Sequence, residues 1–169
     1  MPSDIDLSSV SEDVKALSNY LQEVLDRTVN IYDSYNIPIP SRRYWTMADP
    51  VVDCEQLVVS FIQMYIGAPG DEASMPRRCM DPRSATIHVS VARKVPTVGQ
   101  SGKAPSAETI QDYSELQAID AWALLHSAAE LDAWNTSGGF GLGVIATVDT
   151  SEPQGGFQST VLTLTSAVP

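Results

Sequence analysis

The stretch GQSGKAPS, Gly99 to Ser106, joins strand-forming text to helical text and carries the glycines and lysine of which phosphate-binding loops are made. Such a loop needs G-x-x-x-x-G-K-[ST], so that consecutive backbone N–H groups cradle the phosphates and a hydroxyl holds the metal. Here only two residues separate Gly99 from Gly102, Ala104 stands where the hydroxyl belongs, and Pro105 removes an N–H. The stretch reads as a flexible loop or arm. The cluster GGFGLG, Gly138 to Gly143, has part of the spacing of a dinucleotide fingerprint, but it follows a helix and opens a strand. A pyrophosphate needs the reverse order, so that the positive end of the following helix faces it. This cluster is a helix stop and a turn.

The histidines are His88, on the polar side of a strand, and His126, within a helix. Neither lies at Cys-x-x-Cys or His-Glu-x-x-His spacing, so each is expected to be structural or solvent-facing rather than a metal ligand. There is no G-x-S-x-G elbow to expose a serine, and the carboxylates are scattered over helix faces, where solvation is their usual role. We therefore assign no catalytic residue, cofactor site or metal site. An enzyme built from His88 and an arginine loop, or a monomeric ligand-binding module, would require a well-formed pocket. That loop holds Arg77, Arg78 and Arg83 in an otherwise acidic chain, a local reversal of sign. Because the planar arginine fork binds carboxylates bidentately, these arginines read as subunit contacts before catalysts.

The elements that must position these residues follow from periodicity. Val10, Val14, Leu17, Leu21, Val24, Leu25 and Val29 recur on one helical face. With Ser9 and Glu12 as a capping box, they predict a helix over about 10–30. From Ile31 to Pro50 the helical pattern dissolves into aromatic and Pro-rich text, with a short strand expected at Arg42 to Met47. The run from Leu57 to Ile66 is apolar in both alternating sets, Leu57, Val59 and Phe61 against Val58, Ile62 and Met64, and predicts a strand buried on both faces. Thr86 to Arg93 alternates, with Ile87, Val89 and Val91 inward and Thr86, His88, Ser90 and Ala92 outward. These central strands, over about 42–93, include an antiparallel pair with a long loop.

A second helix over about 106–134 is capped by Ser106 and carries an apolar stripe of Ile110, Tyr113, Ala118, Ala121, Trp122, Leu125 and Ala129. A C-terminal hairpin over about 142–168 pairs a strand at Leu142 to Thr147 with one starting at Phe157, across the turn PQGG. Helices at separated places and locally paired strands predict an α+β fold. Its sheet is antiparallel or mixed, with about four to five strands packed by two helices in a single domain, 1–169.

Composition bounds the rest. The chain of 169 residues is 43% hydrophobic and 18% charged, as expected of a soluble globular protein. The acidic, polar N-terminus has no signal-peptide character, and the longest apolar run is about half a membrane span. A soluble, cytoplasmically made protein is expected, with Cys54 and Cys79 reduced and buried. With 21 acids against 10 bases, general electrostatic binding to nucleic acid is disfavoured.

PSRRYWTMADPVVDCEQLVVSFIQMYIGAPG, CMDPRSATIHVSVARKVPT, DAWALL and PQGGFQSTVLTLTSAV, in this order within about residues 38–169, resemble the tail terminator family among the neck proteins of long-tailed actinobacterial bacteriophages. CEQLVV, the cysteine of the following loop and the terminal PQGG strand are the distinctive parts. The resemblance implies a structural virion protein without catalysis or cofactor. It would form a homohexameric ring that caps the tail tube, stops tube polymerisation and offers the head-tail joining face. Implied partners are other copies of the chain, the tail tube protein and the head-tail stopper or connector. Viral DNA would pass through the lumen without sequence-specific binding, and no membrane is involved. The implied location is the phage neck, after assembly in host cytoplasm. Candidate subunit contacts are Arg77, Arg78, Arg83, Val98, Lys103 and Phe157. A head-tail stopper or adaptor of the neck is the alternative.

Overall fold

The computed structural model describes residues 12–70, 83–98, 102–137 and 144–168. In chain order the elements are α1 (Glu12–Ser34), β1 (Arg42–Thr46), β2 (Gln56–Ile66), β3 (Arg83–Lys94), α2 (Ala107–Ser137), β4 (Ile145–Thr150) and β5 (Phe157–Ala167). The strands form one sheet in the order β1-β2-β3-β5-β4, parallel between β1 and β2 and antiparallel elsewhere. This is the expected α+β architecture of two helices and a five-stranded mixed sheet.

Alternation along the strands sorts the core. Leu57, Val59, Ile87, Val89, Leu162 and Leu164 share one sheet face and are fully buried under Leu21, Val24 and Leu124 of the helices. Removing such side chains from water is the main source of stability, at about 1.5–3 kcal/mol for each fully buried large aliphatic. α1 packs over β1 and β2, α2 over β4 and β5, and the helices touch each other. The terminal strand β5 pairs with β3 along one edge and with β4 along the other. Both its edges are thus closed within the chain.

Several boundaries differ from expectation for identifiable reasons. α1 continues past residue 30, with Ile31 and Tyr32 buried in its last turns. It stops at Asn36, whose φ of 54° is the left-handed conformation that asparagine tolerates, and Ile37 N–H donates to Tyr32 O at 2.9 Å. This backward bond satisfies a terminal carbonyl, as in a Schellman stop. The predicted N-cap at Ser9 lies outside the described residues. α2 is capped as expected, Thr109 N–H donating to Ser106 Oγ at 3.1 Å.

β4 begins three residues later than the reading of Leu142 to Thr147, and 142–143 lie outside the described residues. Its register is set from the turn, where Gly155 and Gly156 have φ of 58° and 85° between the paired Gln154 and Phe157. Two positive-φ residues are what a type I′ hairpin turn demands, and glycine adopts them most freely. In β2, a bulge between Phe61 and Gln63 shifts the register, so that Met64 pairs with Ala85 and leaves the side it was expected to share with Val58.

Candidate functional site

The parallel pairing of β1 and β2 forces the chain to return across the sheet before β2 begins. The returning segment, 47–55, crosses the face away from the helices, and Gln56 Nε2 donates to Val51 O at 3.0 Å. The β4–β5 turn reaches over the same face, with Ser159 N–H donating to Ser151 Oγ at 3.0 Å. Between the two lies a recess of about 190 Å³. Its floor includes Ser60, His88 and Ser90; Pro50, Val52, Phe157 and Val161 are apolar lining residues, and Asp49 and Glu152 are acidic ones. The expectation that the second face of β3 looks outward is overturned, since Ser90 and Ala92 are buried and His88 is half-buried on the covered side, and Thr86 further along the strand is buried as well. Ser60 stands opposite His88 in the ladder. Yet Ser60 Oγ, in a residue 1% exposed, makes no hydrogen bond among the described residues. A serine–histidine nucleophile is activated through a hydrogen bond between the two side chains, and Ser60 and His88 make none in this arrangement of the described residues.

A second polar feature joins three elements. Arg93, on the helix-covered side of β3, donates through Nε and Nη2 to Asp120 of α2 at 2.9 and 2.8 Å, and through Nη2 to Pro38 O at 2.6 Å. Tyr32 of α1 donates to the same carboxylate at 2.8 Å. The ion pair is almost fully buried, with side-chain exposures of 5% and 0%. Burial opposes the charge of Arg93, but hydrogen bonding to and charge on Asp120 outweigh it, and its pKa is raised. Burial, reinforced by the negative charge of Asp120, raises the Tyr32 phenol. The arrangement leaves Asp120 facing the sheet and Arg93 without solvent access, which suits a clamp rather than a catalyst.

Tyr20 of α1 is similarly placed, hydrogen-bonded to Ser166 of β5. Burial pushes its phenol up to about 12 from 10.0, with the Ser166 bond lowering and the Glu23 charge raising it. In the unfolded chain the phenol releases its proton first, so the native state binds more protons between the two values. Stability is complete below pH 10 and falls as pH rises towards 12, by about 1.4 kcal/mol per pH unit for each such tyrosine. Urea titrations between pH 9 and 12 should show this decline, and Tyr20→Phe should make it shallower. An equally steep decline in Tyr20→Phe would assign it to other groups.

The third feature is an exposed apolar stripe. α2 was expected to bury the stripe containing Ile110, Trp122 and Leu125, but these are 51%, 45% and 45% exposed. The helix instead turns Asp120, Ala123, Leu124, Ser127 and Ala128 inward. The bond to Arg93 fixes that rotation, and alanine and serine allow close approach to the sheet. The stripe is real and faces outward. Tyr35 continues it from the end of α1, its ring edge-on to Trp122 at 4.8 Å, while His126 stacks on Trp122 at 5.0 Å. Elsewhere, β1 pairs with Gln56 to Ser60, so among the described residues β2 runs on without a partner on that edge, and Ile62, Met64 and Ile66 are exposed.

Of the residues singled out from sequence, Val98 and Lys103 are exposed beside the loop they were assigned to, and Arg83 is exposed at the start of β3. Phe157 is half-buried and lines the recess. Arg77, Arg78 and Cys79 lie outside the described residues, and Cys54 is half-buried, 3.5 Å from Arg42 Nη1. Arg83, the described arginine of the arginine loop, is not among the residues that line the recess with His88. Sequence reasoning missed Arg93, Asp120 and Ser60. A charged residue inside a strand and another inside an Ala-rich helix face were the available signals for the first two. Among the described residues no group of three or more His, Cys, Asp or Glu is placed to hold a metal, and no helix is long and apolar enough to cross a membrane. No protein-family model matches the chain, and no curated protein matches it.

Proposed function

We propose that the chain is a structural subunit of a phage neck, a tail terminator that closes into a ring on the tail tube, ends tube growth and presents the head-joining face. The observation that carries this reading is the outward apolar stripe of α2, Trp122 and Leu125 extended by Tyr35. A helix that is apolar on both its inner and outer sides is ordinarily buried on both. The exposed end of β2 is a second patch of different make-up. Two dissimilar patches on one subunit suit head-to-tail contact, which closes into a ring when the rotation per subunit is an integral fraction of a turn. The specific placement at the tail end comes from the sequence resemblance. In that reading the ring is a homohexamer, and its partners are the tail tube protein and the head connector. DNA crosses an acidic lumen that repels it and keeps it mobile.

The mechanism is geometric and needs no chemistry. One face of the ring occupies the site that the next tube subunit would take, and the other receives the connector. Particles assembled without this gene product should carry overlong or unjoined tails in electron micrographs. Full heads leaking DNA beside tails of normal length would instead identify a stopper. A chain that stays monomeric both alone and with purified tail tubes would overturn the ring.

A further inference from the structure

We infer that the recess between segment 47–55 and the β4–β5 turn is a binding site for an aliphatic cation, an alkylammonium or alkylguanidinium group. The inference is independent of the assembly reading. Its first support is Ser60 Oγ, buried in the floor without a hydrogen-bond partner among the described residues. An unmatched buried hydroxyl is destabilising, and a donor entering the recess relieves that cost. Ser90 and His88 add a hydroxyl and an imidazole to the same floor, so an incoming N–H group finds acceptors.

The second support is the sign of the lining. Asp49 and Glu152 are the carboxylates among its lining residues, and neither lysine nor arginine is among the described residues that line it. An anion entering here would meet two carboxylates without a compensating cation. A cation gains charge-assisted hydrogen bonds, which are roughly twice as strong as neutral ones. The third support is the apolar wall of Pro50, Val52, Phe157 and Val161, which matches an alkyl stem rather than a bare metal ion or a small hydrated cation. The volume of about 190 Å³ admits one such stem and head group. The group can belong to a free diamine or to a lysine or arginine side chain of a partner protein, since the recess reads only the stem and the charge.

The test is a titration of the full chain, followed through the backbone amide signals of Ser60, His88 and Ser90. Probes are n-butylammonium, n-butylguanidinium and the neutral isostere butan-1-ol. The cations should give saturable shifts at those residues, with binding at least about tenfold tighter than butan-1-ol, a difference of about 1.4 kcal/mol. Asp49→Asn with Glu152→Gln should weaken cation binding by about tenfold and leave butan-1-ol unchanged. Ser60→Ala should also weaken cation binding, while the free protein keeps or gains stability, because an unpaired hydroxyl is removed. That separates lost binding from lost folding.

A second set of probes identifies the source. Tighter binding of 1,5-diaminopentane points to a free amine, and tighter binding of N-acetyl-lysinamide or N-acetyl-argininamide points to a partner's side chain. Equal binding of butan-1-ol, no saturable shift, or cation binding indifferent to the Asp49 and Glu152 substitutions would overturn the inference.

Discussion

Asp120→Ala should lower folding stability by about 3–5 kcal/mol, measured by urea denaturation, a large fraction of the total for a domain of this size. The substitution removes the partner of two Arg93 hydrogen bonds and of Tyr32, whose groups are buried beneath both helices. Arg93 then retains only the bond to Pro38 O among the contacts described above, and its charge is left almost uncompensated. The dominant cost is this isolated charge, not the lost attraction, because forming a buried ion pair already requires desolvating both members. Two controls follow. Tyr32→Phe removes one neutral donor and should cost only about 1–2 kcal/mol. Arg93→Met combined with Asp120→Leu removes both charges and should recover much of the loss, as apolar replacements of buried pairs commonly do. A loss below about 1 kcal/mol for Asp120→Ala would mean that Arg93 escapes to water, and the clamp would be refuted.

Trp122→Glu with Leu125→Glu should abolish assembly while leaving the subunit folded. Both side chains are nearly half exposed, and surface substitutions of this kind change stability by about 0.5 kcal/mol or less. Here the aromatic contacts of Trp122 with Tyr35 and His126 add roughly 0.5–1.5 kcal/mol each to the folding cost. Aromatic anchors at an interface are worth about 2 kcal/mol or more apiece, and a ring repeats the loss at every subunit contact. Sedimentation of the variant with tail tubes should show free monomer where the native chain is bound. Unchanged assembly with both glutamates in place would remove α2 from the interface.

The sequence made the elements legible where one local rule dominated. Alternation located β3 and β5, the 3.6-residue spacing located α1, and Ser106 placed the start of α2. The end of α1 was harder to read, because Ile31 and Tyr32 look like the aromatic text that follows. What stops the helix is a single left-handed asparagine, Asn36, and a backward hydrogen bond. The recess was not legible at all. Ser60 and His88 are far apart in the chain and become neighbours only through the β2–β3 register.

The amino-acid sequence by itself determined the fold class, the pairing of the C-terminal hairpin and the acidic character of the chain. These rest on side-chain periodicity, glycine conformations and charge, all local properties. Tertiary structure decided which side of α2 is buried. The stripe of Ile110, Trp122 and Leu125 has the larger apolar content, and hydrophobic burial alone would turn it inward. Arg93 overrides that preference, because a charge held beneath the helices must be met by Asp120, and leaving it unpaired costs more than exposing a tryptophan and two aliphatic side chains. That choice directs the apolar stripe to the outside, where the proposed assembly uses it.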